Sequence, residues 1–426
     1  MRVAPRAALG ERAGFLLLVL GFALTLRLLW IAFSEWQPLP GDDAFRYDFA
    51  ARALLDGQGY VHFNGEPTAF WPPGYPLLLA AAYGLFGESV VVAELLNVVL
   101  GTATGGLVYL IGRRTLGQGP ALVGAGIVAA FPSLVFFTAV TLSEVTFTFL
   151  VLLAVYLLIV EAQSGRRRDL RLLLAAGLVL GYASLVRGQA MLLPLALLPF
   201  WLRSGADRSA IADKLVALGL GIGLIVAPWT VRNAIEMEAP VPISTNAGVD
   251  FWIGHHEGAS GRGQLADELV FSRPELTTAQ REVYINAEGQ RQGIAYMLTH
   301  PFHEVGLVVQ KLFWLYAHDT EGLSWNESHG GQPILSDVVR AGLASVSNLY
   351  YFALLGLVAL GARLWFSLRD PGRLLLISLV VYWTLVHVIF FGDPRFHAPI
   401  MPVVALLAAL PLAALWSGRT VEGRSR

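Results

Sequence analysis

"TLSEVTFTFLVLLAVYLLIVEAQSGRRRDLRLLLAAGLVLGYASLVR", residues 141–187, decides the fold. Two apolar runs, 141–160 and 171–187, flank the basic turn Ser164–Arg171. Each is long enough to cross a hydrocarbon layer of about 30 Å as a helix. Outward from this pair, similar runs fall near 14–33, 93–112, 119–137, 188–202, 214–230, 343–362, 374–391 and 396–416. A further stretch, 74–92, is broken by Gly84 and Gly87 and reads as a short span, a re-entrant segment or an interfacial helix. Charged residues are only 14% of the chain and mean hydropathy is +0.58, against a charged share of about 25% in soluble domains. The expectation is an all-α integral membrane protein, one domain over 1–426, with ten spans as a minimum.

The 426-residue chain contains no cysteine, which removes disulfides, thiolate metal sites and cysteine nucleophiles. Arg2, Arg6 and Arg12 precede the run 14–33 as in a signal peptide, but no small-residue cleavage site follows and Arg27 lies within the run. An uncleaved first span is expected. With the N-terminus inside, the cytoplasmic pieces hold 18 of the 30 Lys and Arg but only 7 of the 31 acids. That asymmetry is what the positive-inside rule requires, and ten spans return the C-terminus to the cytoplasm. Two regions are left outside: a first loop, 34–92, and a second, 231–342.

The first loop carries "GDDAFRYDFAARALLDGQGY", residues 41–60. Read as a helix, Asp43, Arg46 and Tyr47 share one face, while Asp42 is turned about 100° away. A carboxylate flanked by an arginine at a membrane surface suits a general base beside an anion site. The same pattern also reads as an interfacial helix capped by Asp42 or Asp43. Downstream, Pro72, Pro73 and Pro76 predict a rigid extended lead into a helix. The stretch "FHEVGLVVQKLFWLYAH" reads as an interfacial helix with Lys311 on an apolar body. Glu144 opens a span after Ser143, where the helix dipole favours an acid. His255–His256 and "HPFHE" at 300–304 match no zinc spacing, so no metal is assigned, although a divalent ion stays open.

Taken in order, six landmarks make the chain resemble GT-C-class membrane glycosyltransferases. They are "GDDAFRYDFAARALLDGQGY", "WPPGYPLLLAAAYGLFG", "LSEVTFTFL", "LVRGQAMLLPL", "PWTVRNAIEMEAPVPISTNAGVDFWIGHHEGASGR" and "DPRFHAPIMPVVALLAAL". The resemblance is to the protein O-mannosyltransferase and lipid A aminoarabinose transferase superfamily. It implies a GT-C-type bundle of about 10–13 transmembrane helices with the catalytic acid in the first extracytoplasmic loop. It also implies a hexosyl- or pentosyl-type transfer from a polyprenyl-phosphate-linked donor to a lipid, glycan or protein hydroxyl. The expected setting is the bacterial cytoplasmic membrane, with no nucleic acid partner and no cofactor firmly implied. By carry-over Asp43 is the general base, with Asp42 as second candidate, and Arg46 and Tyr47 touch the carrier phosphate. Where the aminoarabinose transferase has an acid–lysine pair before its prolines, this chain has Phe70 and Trp71. The missing cation falls to Lys311, Arg395 or Arg187, and aminoarabinose itself is disfavoured. Glu144, Arg187 and Asn246 of "STNAG" complete the candidate substrate contacts. The alternative is a secondary transporter or lipid flippase, but no paired repeat of broken helices is evident.

Overall fold

The computed structural model describes residues 6–34, 36–40, 42–166, 168–263, 273–328, 334–365 and 369–416. These form helices and no strands, apart from two isolated bridges, Val61 to Pro67 and Arg262 to Gly392. The order begins with α1 (Arg6–Ser34), then α2 (Asp43–Leu55) and α3 (Gly74–Phe86) in the first loop region, and α4 (Val90–Thr115). Next come α5 (Gln118–Ala130), α6 (Pro132–Phe136), α7 (Glu144–Ala162) and α8 (Leu170–Val186). The short α9 (Leu193–Ala196) and α10 (Leu198–Arg203) lead into α11 (Arg208–Glu236). The second loop region holds α12 (Ala247–Gly254), α13 (Thr278–Thr299), α14 (Pro301–Tyr316) and α15 (Glu321–Ser328). The chain ends with α16 (Asp337–Leu360), α17 (Ala362–Trp365), α18 (Pro371–Ile389), a 3-10 turn (Pro394–Ile400) and α19 (Met401–Trp416).

Seven of these helices, or eight if α5 and the bent segment after it form one span, are long and apolar enough to cross a membrane. That differs from the ten expected, for local reasons. The run 188–202 is a 3-10 turn followed by α9 and α10, because Pro194 and Pro199 each sit in a first helical turn and restart the helix. The run 171–187 is a real helix, α8, of 17 residues. In the first loop, α3 stops at Gly87 after 13 residues.

The run 119–137 bends by 58° at Pro132. Proline has no N–H, so the carbonyl of Val128, four residues earlier, loses its helical donor. The guanidinium of Arg27 fills this gap, with its nitrogens 3.4 Å from the Ala129 oxygen and 3.5 Å from that of Val128. A side chain at Gly101 would place its Cβ 2.9 Å from Arg27 Nε, so glycine makes the room. Asn97 Nδ2 then donates to the Val140 oxygen at 2.9 Å, holding the unwound segment that delivers Glu144 to the start of α7. Thus the intramembrane arginine caps a broken helix whose exit is a site residue.

The two loop regions are latched together. Arg232, near the end of α11, donates to the carbonyls of Tyr60 and Thr68, both at 2.7 Å. Glu282 of α13 accepts from Thr68 Oγ1 at 2.5 Å, the Ala69 N–H at 2.9 Å and Thr245 Oγ1 at 3.2 Å. Helix α13 starts with a capping box formed by Thr277 and Gln280. A Cβ at Gly248 would fall 1.9 Å from the Asn286 oxygen, so α12 lies directly on the backbone of α13. Helix α14 is amphipathic: Phe302, Val305, Val309 and Phe313 point outward, and Leu307, Lys311 and Leu315 inward.

Candidate active site

Helix α2 begins where the sequence places two carboxylates, and it separates them. Asp42 is the N-cap, its Oδ1 accepting from the Phe45 N–H at 2.8 Å. Asp43 is the first helical residue, its side chain 37% exposed and 3.0 Å from Arg395 Nη1. Arg395 lies on the 3-10 turn before α19 and donates through Nε to Glu144 at the start of α7. Glu144 also receives Arg187 Nη2 at 2.5 Å, and Arg187 Nε donates to Ser143 Oγ at 2.9 Å. Four expected residues from four distant segments therefore form one chain of alternating charge: Asp43, Arg395, Glu144, Arg187. Glu144 is 2% exposed, so its two arginines are buried counter-charges.

Tyr47 is buried one turn further along α2, its ring edge-on to Tyr75 at 5.4 Å. Burial pushes its phenol up to about 12, with Asp43 adding to the shift and Arg187 and Arg395 opposing it. The hydroxyl is thus a proton-bearing neighbour of the charged chain at neutral pH. Arg46 turns to an aromatic pocket beside the cluster. Its guanidinium lies 4.4 Å from the Trp71 ring centre and 5.3 Å from that of Phe63, and Tyr60 and His62 share the lining. Trp71, which on the sequence reading stands in place of the aminoarabinose transferase's lysine, packs against Arg46.

Lys311 goes elsewhere. It is 1% exposed inside α14, with Nζ 3.1 Å from His255 Nε2, and His255 Nδ1 lies 2.8 Å from Glu304 Oε2. Burial lowers the Lys311 pKa to about 8. On the sequence reading it was a helper for the phosphate; the structure places its Nζ against His255. The histidines considered as ligands have other partners: His256 stacks on Trp252 at 4.1 Å, and His303 Nδ1 is 2.9 Å from the Tyr296 hydroxyl. Among the described residues no group of three or more His, Cys, Asp or Glu is placed to hold a metal ion.

Asn246 is the N-cap residue of α12 and donates through Nδ2 to Asp250 Oδ2 at 2.9 Å. Asp250 was missed in the sequence, although its position four residues after Asn246 on a short helix was the available signal. Desolvation, helped by the nearby Asp43 and opposed by Arg187, raises its pKa to about 7. An aspartate raised above its unfolded value near 3.8 contributes stability that is fully present below pH 3.8 and is lost as pH rises through about 7. Asp250→Asn is therefore expected to raise thermal stability more at pH 8 than at pH 5. Thermal unfolding of the purified variant at both values checks this, and an equal effect at the two would remove Asp250 from the low-dielectric side of the site.

The fold is of the GT-C type seen in lipid-dependent membrane glycosyltransferases. Residues 71–231 match the family described as dolichyl-phosphate-mannose-protein mannosyltransferase, a span that contains Glu144 and Arg187. The crystal structure of the oligosaccharyltransferase of Archaeoglobus fulgidus in its apo form aligns with a TM-score of 0.59 at 15% identity, covering 96% of this chain and 51% of that one. The same organism's AglB, in complex with an inhibitory peptide and a dolichol-phosphate, aligns at 0.57 and 16% identity, covering 98% and 52%. ArnT from Cupriavidus metallidurans bound to undecaprenyl phosphate aligns at 0.47 and 16% identity, covering 95% and 79%. No curated protein sequence matches the chain. The chain spans about half the length of the archaeal enzymes it matches.

Proposed function

We propose that this protein is a membrane glycosyltransferase that moves a sugar from a polyprenyl-phosphate donor to an acceptor hydroxyl outside the cytoplasmic membrane. The observation that carries the reading is the chain Asp43–Arg395–Glu144–Arg187, in which a partly exposed loop-helix carboxylate meets three buried charges on a GT-C-type fold. Two arginines there match what a lipid-linked phosphate needs, and one partly exposed carboxylate matches what an acceptor hydroxyl needs.

The chemistry is a single displacement. The acceptor oxygen attacks the anomeric carbon, the bond from that carbon to the phosphate oxygen breaks, and the anomeric centre inverts. Asp43 takes the hydroxyl proton. Arg395 holds Asp43 in the free enzyme, and a donor phosphate entering the cluster competes for that guanidinium. Phosphate binding thus frees Asp43 at the step where a base is required. Arg187 and Arg395, both largely buried, then stabilise the leaving phosphate. Tyr47, protonated at neutral pH, donates to the same group. Comparison of envelope glycolipids and glycoproteins by mass spectrometry, with and without the gene, tests the function. A missing glycan in the deleted strain is expected, and an unchanged set would refute it.

The proposed orientation has both termini in the cytoplasm of a bacterial cell. Because the chain has no cysteine, single cysteines at Ser260 and Ser164 report on it cleanly. An impermeant thiol reagent on intact cells is expected to label Ser260→Cys and to spare Ser164→Cys. Labelling of Ser164→Cys alone would put Asp43 on the side without a flipped donor.

A further inference from the structure

Arg395 joins both carboxylates of the cluster, yet it sits on a seven-residue 3-10 turn, Pro394–Ile400. Asp393 caps that turn, accepting from the Arg395 N–H at 2.9 Å, and Trp383 Nε1 donates to the Phe396 carbonyl at 2.7 Å. The firmest hold comes from His397, two residues after Arg395. Its side chain has no solvent exposure. Nδ1 is 2.8 Å from the Leu315 carbonyl of α14, and Nε2 is 3.0 Å from Asp319 Oδ1. Tyr351 of α16 stacks on the ring, with centroids 4.7 Å apart and planes 14° from parallel.

Asp319 is itself fastened to α16. Its N–H donates to Asn348 Oδ1 at 2.9 Å, and Ser347 Oγ donates to its carbonyl at 2.5 Å. One ring thus joins α14, α16 and the turn that carries Arg395. With both nitrogens engaged, rotating the imidazole gives up two hydrogen bonds at once. Among the described residues neither His397 nor Asp319 bonds to Asp43, Glu144 or Arg187.

We propose that His397 and Asp319 are a positioning couple for Arg395, fixing the turn so that one guanidinium reaches Asp43 and Glu144 together. They touch neither donor nor acceptor. The inference rests on the reading of the cluster as a carrier-phosphate site. A displacement of about 1 Å in such a group costs on the order of a hundredfold, which is why a buried lock two residues away matters.

The test uses the full chain in nanodiscs, with undecaprenyl phosphate as probe and phosphate-free undecaprenol as control. Arg395→Ala is expected to lower the preference for the phosphate lipid by about ten- to a hundredfold, the range of a charge-assisted contact. His397→Ala is expected to lower it by about tenfold, and the double variant to be no worse than Arg395→Ala alone. Residues that act through one another are non-additive in this way. His397→Gln keeps one donor and is expected to recover part of the loss, and it serves in place of His397→Ala if that variant does not fold. Asp319→Ala removes the acceptor and is expected to cost about as much as His397→Ala, whereas Asp319→Asn keeps one and is expected to recover part of that loss. Hydrogen–deuterium exchange over residues 390–400 gives a second reading, independent of lipid, and is expected to quicken in His397→Ala. Losses that simply add, or exchange that does not change, would overturn the couple. A wild type with no preference for the phosphate lipid would overturn the proposed function instead, and the exchange result would still decide the lock.

Discussion

Asp43→Asn is expected to lower sugar transfer by about 10²–10⁴-fold while leaving donor binding largely intact, because losing a general base costs that much. Asparagine keeps the shape and the hydrogen bonds but accepts no proton. Donor binding survives because Arg395 and Arg187 keep their contacts with Glu144 in the variant. Asp42→Asn is the matched control. Asp42 caps α2 through Phe45, and asparagine caps as well as aspartate, so its transfer rate and stability are expected to stay near wild type. Both variants are to be assayed purified, in nanodiscs, with a polyprenyl-phosphate-linked sugar that the wild type uses. Normal turnover in Asp43→Asn beside a dead Asp42→Asn would swap the two roles. Normal turnover in both would end the catalytic reading of this loop.

That Asp42 and Asp43 point in different directions was legible from helical phase, but which of them caps the helix was not. A period of 3.6 residues places Asp43 with Tyr47 and turns Asp42 away, while the cap falls to Asp42 only because its Oδ1 accepts from the Phe45 N–H. The partner of Asp43 was legible only as a candidate. Arg395 is 352 positions along the chain, and no local pattern states that a turn before the last helix folds onto the first loop. Lys311 shows the converse. Its lone charge on an apolar helix read as a reach toward phosphate, but the inward face of α14 meets His255, and that choice depends on packing between elements far apart in sequence. Asp250 was hidden for a similar reason. What raises its pKa is burial beside Asp43, which is a property of the assembled loops.

The span count shows where hydropathy alone misleads. A window over 188–202 is apolar enough, yet Pro194 and Pro199 were visible in it and mattered more than mean hydropathy. At 119–137 the same residue type, Pro132, produced a bend that Arg27 and Asn97 stabilise. Arg27 stands in the sequence as a charge within the first apolar run. Its meaning needed the neighbouring helix, because the carbonyls it caps belong to residues about a hundred positions away.

Glu144→Gln is expected to destabilise the unliganded protein by about 3–5 kcal/mol, the range for removing one partner of a buried ion pair. Glu144 is the shared counter-charge of Arg187 and Arg395, and glutamine leaves both guanidinium groups in the same low-dielectric site, with Asp43 still paired to Arg395. The same change makes the site more attractive to an anion. Undecaprenyl phosphate is therefore expected to stabilise Glu144→Gln more than it stabilises the wild type, whereas turnover falls because the arginines hold the leaving phosphate too tightly. Adding Arg187→Met removes one of the two stranded charges and is expected to restore part of the lost stability without restoring turnover. Thermal unfolding of the wild type, the single variant and the double variant, each with and without the lipid, gives all the required comparisons. A Glu144→Gln protein as stable as wild type would mean that water already screens these charges. A lipid effect no larger than in wild type would mean that the arginines face something other than the carrier phosphate. The pair of results thus separates a buried scaffold of charge from one that opens to a phosphate.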